Sequence, residues 1–383
     1  MATTEVATTD ALPTTGEPGC PAQPSGTLLW STVMELEEDD LFVPNTLAAV
    51  SDGRIAFGGT RFSEDWHDGL LWFGEDGTQQ GWTLATKPIK WGLVHANLRV
   101  LPDDSLLFML ENHDGDPVED AWPNLVHFAP DGAELARVDI DDGRIADAYD
   151  FELLGDRVVL SGVEETPAAL LVAMADLATG AVIWETELIA SAMKNRVAVG
   201  PGGEIVVGDG RRGPDGYFKV WRLDPASGAV AWEADLMFPE PDAELADLVA
   251  TPDGRAIAVA FRKNEDHTDG SLVAAALALD SGAEQWRTEV AVTTDDGLPF
   301  LNRVLVDGDA LTLPVTRDAI FVDGPPIVEV SRLSFTGALL GTSTLPIPAD
   351  QIGSFTHVPA RGRCGELLLF QDGMDWRLMA FAP

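Results

Sequence analysis

The chain has 383 residues, and 45% of them are hydrophobic, which is enough for one large repeat fold or for two or three average domains. It carries 63 acidic and 24 basic residues, a formal net charge of −39. A surface of this charge repels nucleic acid and anionic membranes, so we expect no nucleic-acid partner. No apolar run reaches the length of about 18 residues that a membrane-spanning helix needs, so we expect no membrane insertion.

The first segment, residues 1–25, is rich in Thr, Pro and Ala and contains almost nothing that a core could bury. This composition predicts a disordered tether. Tethers of this kind often follow a secretion or lipoprotein signal, and the sequence contains no such signal. We therefore expect an extracellular or periplasmic protein whose signal has been removed, with a lipid anchor as one form of this expectation. The alternative is a cytoplasmic protein.

A repeat of roughly 50 residues fills the rest of the chain. Each copy has a short apolar strand, a Gly/Asp turn, a nearly continuous apolar run, a variable polar loop and a second hairpin. The first turns are Asp52-Gly53, Asp103-Asp104, Gly155-Asp156, Gly202-Gly203, Asp253-Gly254, Asp307-Gly308 and Cys364-Gly365. Apolar runs without alternation are typical of strands that are covered on both faces. The pattern predicts an all-β fold, a seven-bladed β-propeller of four-stranded antiparallel blades.

A tryptophan recurs in the second hairpin of most repeats. It is found at Trp82, Trp184, Trp232 and Trp286, whereas repeats two and six have Ala136 and Gly341 at that place. The turn residues of these hairpins are Gly, Asp and Ser, which tolerate positive φ.

The two ends of the repeat region predict how the ring closes. Residues 376–383 correspond to the third strand of repeat seven, and no fourth strand follows them. Residues 26–36 match residues 180–188, with Trp30 aligned to Trp184. We therefore expect residues 26–383 to form a single propeller in which residues 26–36 complete blade seven. Such closure removes open sheet edges.

The chain has only two cysteines, Cys20 and Cys364. Cys364 lies in the first turn of blade seven, and Cys20 lies just before the strand that completes the same blade. We expect a disulfide that secures the closure, which would require an oxidising compartment. The alternative is two unrelated thiols.

The phrases LATGAVIWETEL (177–188), DPASGAVAWEADL (224–236) and LDSGAEQWRTEV (279–290) resemble the repeats of quinoprotein-like propellers. The resemblance implies that the hairpin tryptophans, with Trp30, dock adjacent blades. Catalytic members of that superfamily use pyrroloquinoline quinone with calcium, usually on eight blades and often beside adjacent cysteines. Seven repeats without adjacent cysteines imply a non-catalytic member. We therefore expect no cofactor, with a divalent metal such as calcium, or pyrroloquinoline quinone, as the alternative.

The loops between second and third strands share a face with the links between blades, and this face often carries a propeller's binding site. Three tryptophans outside the hairpins and third strands fall there, accompanied by His and Lys. The predicted ligand-binding residues are Trp66, His67, Lys87, Lys90, Trp91, His95, His113 and Trp122. They suit an aromatic or carbohydrate ligand or a protein interface. The alternative is a loop cluster that packs on itself.

A second group is expected around the central channel. It comprises Asn45, Asn97, Asn195, Asn302 and His357 near the starts of innermost strands, together with Arg61 and Arg262. Three histidines, His67, His95 and His113, are also weak candidates for a metal site, although no two have a short ligand spacing. No catalytic motif for a nucleophile or a phosphate loop is present.

These observations favour an exported, monomeric scaffold that binds a protein partner, a small molecule or a carbohydrate and has no chemistry of its own. The alternative is a metal- or quinone-assisted enzyme, an oxidoreductase or a lyase, that uses the histidine cluster.

Overall fold

A computed structural model describes most of the repeat region. The described residues are 27–35, 41–62, 66–85, 97–113, 121–140, 144–145, 147–164, 169–188, 195–210, 218–236, 242–263, 270–292, 299–301, 303–317, 327–345, 354–362, 365–372 and 375–382. The tether assigned to residues 1–25 and both cysteines, Cys20 and Cys364, lie outside these ranges. The tether, the domain boundary and the disulfide therefore stay predictions.

The described residues form 29 β-strands in seven antiparallel sheets, numbered here in the order of the repeats. Sheet one contains Leu41–Ala49 (β2), Ile55–Phe62 (β3), Trp66–Phe73 (β4) and Gln79–Leu84 (β5); sheet two contains Asn97–Val100 (β6), Leu106–His113 (β7), Ala121–Phe128 (β8) and Glu134–Asp139 (β9). Sheet three contains Asp147–Leu154 (β10), Arg157–Glu164 (β11), Ala169–Asp176 (β12) and Val182–Leu188 (β13); sheet four contains Asn195–Val199 (β14), Ile205–Gly210 (β15), Phe218–Leu223 (β16) and Val230–Asp235 (β17).

The remaining three sheets complete the ring. Sheet five contains Asp242–Ala250 (β18), Arg255–Lys263 (β19), Gly270–Ala278 (β20) and Glu284–Val292 (β21). Sheet six contains Pro299–Phe300 (β22), Leu305–Asp307 (β23), Ala310–Arg317 (β24), Ile327–Ser334 (β25) and Leu339–Thr344 (β26). Sheet seven contains Ser354–Gly362 (β27), Gly365–Asp372 (β28), Asp375–Phe381 (β29) and Leu28–Val33 (β1).

The prediction of seven four-stranded blades is wrong. The described residues form six four-stranded blades, and sheet six has five strands because β22 and β23 both pair with β24. The inner strand is divided because the chain leaves the ladder between Phe300 and Leu305. There the backbone N–H of Val304 donates to the carboxylate of Asp247 in sheet five, at 2.6 Å, instead of pairing with β24. A side chain of the neighbouring sheet thus replaces a ladder hydrogen bond.

Sheet seven is closed by the N-terminal strand, as the matching ends of the chain predicted. β1 pairs with β29 in antiparallel register, with Trp30 opposite Ala380 and Val33 opposite Arg377. The pairing extends past the strand at both ends, because Ala382 N–H donates to Thr27 O (2.8 Å) and the amide of Met34 donates to Trp376 O (2.8 Å).

Six of the seven predicted first turns are present, and the seventh contains Cys364, which lies outside the described residues. Asp104 (φ 64°) is the one non-glycine residue with positive φ in the described ranges, in the turn between β6 and β7. Asp tolerates this conformation better than most residues, and its carboxylate accepts hydrogen bonds from the backbone N–H (2.9 Å) and the hydroxyl of Ser51 in sheet one. The turn therefore also links two neighbouring sheets.

The core lies between adjacent sheets and not within any one of them. Burial decreases outwards: every residue of β15 is buried, whereas β17 in the same sheet is largely exposed. One cluster, for example, joins Val206 of sheet four to Leu245, Ala258 and Leu277 of sheet five. This arrangement explains the apolar runs without alternation, because each inner strand is covered on both faces.

Three of the four hairpin tryptophans dock neighbouring sheets, as the resemblance implied. Each indole N–H donates to a backbone carbonyl of the next sheet, and the ring lies on a glycine of that sheet's outer hairpin. The pairs are Trp184 with Pro225 O (3.1 Å) and Gly228, Trp232 with Leu279 O (3.0 Å) and Gly282, and Trp286 with Phe335 O (2.9 Å) and Gly337. Trp30 lies on Gly77 of sheet one in the same way, so the pattern continues across the ring closure.

Trp82 departs from this pattern. In sheets three to five the docking tryptophan pairs with the residue just before a bulge, as Trp232 pairs with Arg222. In sheet one that position is taken by Gly81, opposite Trp72, and Trp82 comes one residue later. A shift of one residue in a strand moves a side chain to the other face. Trp82 therefore packs with the core between sheets seven and one, and Trp72 approaches Gly132 of sheet two instead.

Candidate functional site

The predicted ligand-binding residues are only partly described. Lys87, Lys90, Trp91 and His95 lie outside the described residues. The other four are in strands and not in loops, because Trp66 and His67 begin β4, His113 ends β7 and Trp122 follows the start of β8. All four are beside second-to-third-strand hairpins of sheets one and two, and their role in binding stays a prediction.

The metal hypothesis for His67, His95 and His113 stays a prediction. Of the three, only His67 has a described side chain, and it is half-buried. Within the described ranges, no group of three or more His, Cys, Asp or Glu side chains is placed to hold a metal ion.

The predicted channel residues separate into three groups. Asn302 lies outside the described residues, and Asn45, Arg262 and His357 are in β2, β19 and β27 with only their backbone described. The guanidinium of Arg61 lies 5.6 Å from the ring centroid of Trp82 on β5, the outermost strand of its sheet, and so points away from the innermost strand. Asn97 and Asn195 begin β6 and β14 and are buried.

Asp150 is the centre of a polar network on the innermost strands. Its Oδ1 accepts hydrogen bonds from Asn97 Nδ2 (2.9 Å) and Arg99 Nη2 (3.1 Å), both on β6 of sheet two. Its Oδ2 accepts from the backbone N–H of Val197 on β14 of sheet four (3.2 Å). Arg99 also contacts Glu152 Oε1 at 2.7 Å. A single buried carboxylate thus joins the innermost strands of three sheets.

Arg303 connects sheet six to this network from across the ring. Its Nη2 donates to the side-chain oxygen of Asn97 and lies 3.5 Å from Asp150 Oδ1. Arg303 belongs to the segment between β22 and β23, so its guanidinium reaches the innermost strands of sheets two and three. The break in the inner strand of sheet six therefore positions a cation inside the channel.

Asp247, on β18 of sheet five, is a second buried carboxylate. Its Oδ2 accepts the backbone N–H of Val304 in sheet six (2.6 Å), and its Oδ1 accepts the N–H of Leu248 (2.9 Å). Arg196 Nε of sheet four lies 3.6 Å from Asp247 Oδ1. Like Asp150, Asp247 connects the inner strand of its own sheet to those of its neighbours.

Asn195 differs from the other members of the network. Its side chain is fully buried, and neither amide atom has a hydrogen-bond partner among the described residues. Buried amides without partners are uncommon, because each lost hydrogen bond costs about 1–3 kcal/mol.

Burial and neighbouring charge shift the pKa values of this network. Burial raises the pKa of the Asp247 carboxyl, and the positive charges of Arg303 and Arg196 offset only part of that rise. The pKa of Arg303 is lowered by burial and by the like charge of Arg99. Burial also acts to lower the pKa of Arg99, but Glu152 and Asp150 raise it overall.

A cavity of about 220 Å³ lies beside the network, where the innermost strands of sheets three to six meet. It is lined by Asp150, Glu152, residues 197–199, residues 247–250, Arg303, Val304 and Val306. Val199, Ala250 and Val306 immediately precede first-to-second-strand turns. The cavity therefore lies towards the face opposite to the one that the sequence favoured.

The sequence indicated only part of this site. Asn97 and Asn195 were among the predicted channel residues, whereas Asp150, Asp247 and Glu152 were not. A signal was present, because both aspartates interrupt apolar inner strands (DAYDFELL, 147–154, and DAELADLVA, 242–250). An acid in a strand that is covered on both faces needs a partner.

Comparison with known proteins identifies the repeat. The family model described as outer membrane protein assembly factor BamB matches residues 168–314, from sheet three to sheet six. The predicted resemblance to PQQ-like β-propellers is thereby confirmed. No curated protein sequence matches the chain.

Solved structures match most of the chain at low identity. A polysaccharide lyase of family PL25, an ulvan lyase, has a TM-score of 0.56 at 9% identity and covers 92% of this chain and 96% of that one. Hydrazine synthase of Kuenenia stuttgartiensis has a TM-score of 0.52 at 13% identity, with 91% and 97% covered. The β-propeller domain of the trilobed protease from Pyrococcus furiosus has a TM-score of 0.50 at 11% identity, with 89% and 93% covered. At these identities the likeness shows the fold alone.

Proposed function

Because this chain is a β-propeller built on PQQ-like repeats, we propose that it is an exported scaffold that binds a protein partner at the central cavity and has no chemistry of its own. The observation that carries the proposal is the cavity itself. It is concave, the surface that it presents is mainly polar, and four charged side chains, Asp150, Glu152, Asp247 and Arg303, are among its lining residues. Concave sites in which a few polar groups converge bind ligands and orient them.

The state of the charged groups supports binding more than catalysis. A general acid or base needs a reactive group that faces its substrate. Here Asp150 is held by Asn97 and Arg99, and Asp247 is held by two backbone N–H groups. These bonds join sheets, so the carboxylates act first as structural links.

The cofactor of the catalytic relatives does not fit the cavity. Pyrroloquinoline quinone is a tricarboxylate, and its negative charges would meet Asp150, Glu152 and Asp247 in the cavity wall. Calcium requires six to eight oxygen ligands, whereas Arg99 and Arg303 already contact Oδ1 of Asp150. We derive no step through either group.

The proposed location comes from the family match. That family is described by the name of an outer membrane protein assembly factor. We propose a periplasmic or extracellular location, associated with a membrane surface, and within the described residues no helix is long and apolar enough to cross a membrane. Fractionation of the producing cells tests this, and recovery in the cytoplasm would contradict it.

Site-specific photocrosslinking tests the binding proposal. A photoreactive phenylalanine analogue replaces Val306 at the cavity or, as the matched control, Val230 on the outer strand β17, since the two are 45% and 46% exposed. In the producing cells, we expect one partner, identified by mass spectrometry, to crosslink from position 306 and not from 230. We also expect Val199→Phe, at a half-buried position of the cavity wall, to abolish that product. Equal labelling at the two positions would refute the proposal.

The alternative, a metal- or quinone-assisted enzyme, rests on the histidines of sheets one and two and on the raised pKa of Asp247, a feature of some acid catalysts. Metal analysis and an absorption spectrum of the purified protein separate the two. A stoichiometric transition metal or a bound chromophore would favour the enzyme.

A further inference from the structure

Three fully buried polar side chains face one another between sheets three and four. Ser161 on β11, Asn195 on β14 and Asp209 on β15 are each 0% exposed. Asn195 is opposite Asp209 in the ladder, so both side chains point to the same face of sheet four. That face is turned towards sheet three, because Val197 and Val207, each two residues away along its strand, belong to the core cluster between sheets three and four.

Ser161 enters the same space from sheet three. It is two residues from Val159, which belongs to the same core cluster, so its side chain points towards sheet four. Like Asn195 and Asp209, it lies at the end of the cluster that is nearer to the second-to-third-strand hairpins. The three polar side chains therefore form one layer at the end of this core.

The next sheet pair shows how close these positions are. The ladder partners of Ser161 and Gly208 both lie four residues before the first residue of their outer hairpin turn, so Gly208 has in sheet four the position that Ser161 has in sheet three. A Cβ placed on Gly208 would lie 3.1 Å from Cδ2 of Leu245, the residue of sheet five that corresponds to Asn195. Ser161 and Asn195 therefore occupy adjacent positions.

The fold does not require polar residues in this layer. Of the sheet pairs from two to six, only the pair of sheets three and four has them, and the corresponding buried positions elsewhere hold apolar residues or glycine. These are Met109, Ala148 and Gly162 between sheets two and three, Gly208, Leu245 and Ala260 between sheets four and five, and Val259, Leu301 and Val315 between sheets five and six. A polar set at such a place therefore indicates a site, since apolar side chains fill the same space without needing partners.

The hydrogen-bonding groups of this layer call for an occupant. Within the described part of the chain, neither amide atom of Asn195 nor the hydroxyl of Ser161 has a hydrogen-bond partner. Buried polar groups are normally satisfied by protein or by an ordered water. Because the side chains are closed off from solvent, the occupant is small. Water fits, since it both donates and accepts and needs only about two to four polar partners.

We propose that an internal water molecule is bound between sheets three and four by the amide of Asn195 and the hydroxyl of Ser161. Asn195 supplies both a donor and an acceptor, and the carboxylate of Asp209 supplies a further acceptor in the same layer. The water forms a second polar link between the two sheets, beside the hydrogen bond from the N–H of Val197 to Asp150.

Oxygen-17 magnetic relaxation dispersion of water tests the proposal on the purified full chain, because it detects water molecules that are held inside a protein. The test variant combines Ser161→Gly, Asn195→Leu and Asp209→Ala, which installs the apolar set of sheets four and five. We expect its dispersion to fall by the equivalent of about one water molecule per chain. An amplitude equal to that of the natural chain would overturn the proposal.

Ser331→Ala is the matched control. Ser331 is also buried, but its hydroxyl lies 3.0 Å from the hydroxyl of Thr342, so a side chain already satisfies it. We expect the dispersion of this variant to be unchanged. An equal fall in the control and in the triple variant would show that the signal does not come from the layer between sheets three and four, and would count against the site.

A crystal structure of the natural chain keeps the test valid if the triple variant fails to fold. We expect a density peak about 2.7–3.2 Å from both Asn195 Nδ2 and Ser161 Oγ. A direct hydrogen bond between these two side chains, with no such peak, would overturn the proposal. A peak surrounded by six or more oxygen atoms would show a metal ion instead and would overturn it as well.

Discussion

The contact between Gly282 and Trp232 offers a direct measure of what the outer tryptophans contribute. Gly282 has φ +71°, and a Cβ placed on it would lie 2.8 Å from Cδ2 and Cε3 of the Trp232 ring. Gly254, in a first turn, has a similar φ of +85° but nothing within 4 Å of its Cβ position. Gly254→Ala therefore introduces only the backbone strain, and Gly282→Ala introduces the strain together with the clash.

The expected energies differ accordingly. An alanine in the left-handed region costs about 1–2 kcal/mol at either position. In Gly282→Ala the indole must also move, which endangers its 3.0 Å hydrogen bond to Leu279 O, worth about 1 kcal/mol, and disturbs close packing for about 1–3 kcal/mol more. We expect the free energy of unfolding to fall about 2 kcal/mol further in Gly282→Ala than in Gly254→Ala.

Urea denaturation followed by circular dichroism measures both variants, first in the natural chain and then with Trp232→Ala. Without the indole there is nothing to clash with, so the difference between the two alanine variants should vanish. Equal destabilisation of both variants in the natural chain would show that the contact between tryptophan and glycine carries little energy.

Removing residues 1–36 deletes β1 and leaves the edge of β29 unpaired. We expect that variant to aggregate on size-exclusion chromatography and the variant without residues 1–18 to elute unchanged; a monomer in the first case would contradict the closure. Leu340→Lys should reduce self-association measured by light scattering, because β26 is exposed along its whole length and carries no charge. Leu135→Lys should not reduce it, because Leu135 is equally exposed at 57% but lies on the charged strand β9. Hydrogen bonds from a serine of the neighbouring sheet lower the pKa of Asp104, so its ionised form stabilises the fold above the ordinary pKa, and this stability is lost as pH falls through the lowered value. Asp104→Asn tolerates the same φ and should show a smaller fall in thermal midpoint between neutral and acid pH; an unchanged acid response would refute the assignment.

Much of the fold could be predicted because each repeat carries the same local sequence features. Turn residues that accept positive φ and strands covered on both faces recur at each repeat, and both are local properties. Trp82 of sheet one was aligned wrongly with the other hairpin tryptophans, because the alignment used local sequence features alone. The phrase that contains Trp82 resembles the others, but the bulge near Gly81 shifts the register by one residue. Bulge position depends on pairing, which a repeated phrase does not encode.

The central network could not be predicted because its members are distant in sequence. Arg303 and Asn97 are 206 residues apart, and Arg303 meets Asp150 only because the ring brings sheets two, three and six together. The strand break that aims Arg303 inwards depends on the carboxylate of Asp247, which belongs to another sheet. No local sequence pattern encodes a contact between distant sheets, whereas the acidic residues within the inner strands could be recognised in the sequence.

The inner network and the outer tryptophans together explain why closure depends on β1. Buried carboxylates join sheets two to six at the channel, and indoles join sheets three to six and seven to one at the rim. Between sheets six and seven the rim has Gly341, and nothing lies within 4 Å of its Cβ position. The hairpin that an indole would dock on cannot exist there, because β29 and β1 come from opposite ends of the chain. That boundary is held by the smallest core cluster of the described residues, in which Leu28 of β1 packs against Val328, Val330 and Phe381. The strand that completes sheet seven therefore also supplies the contact that the missing tryptophan would have made.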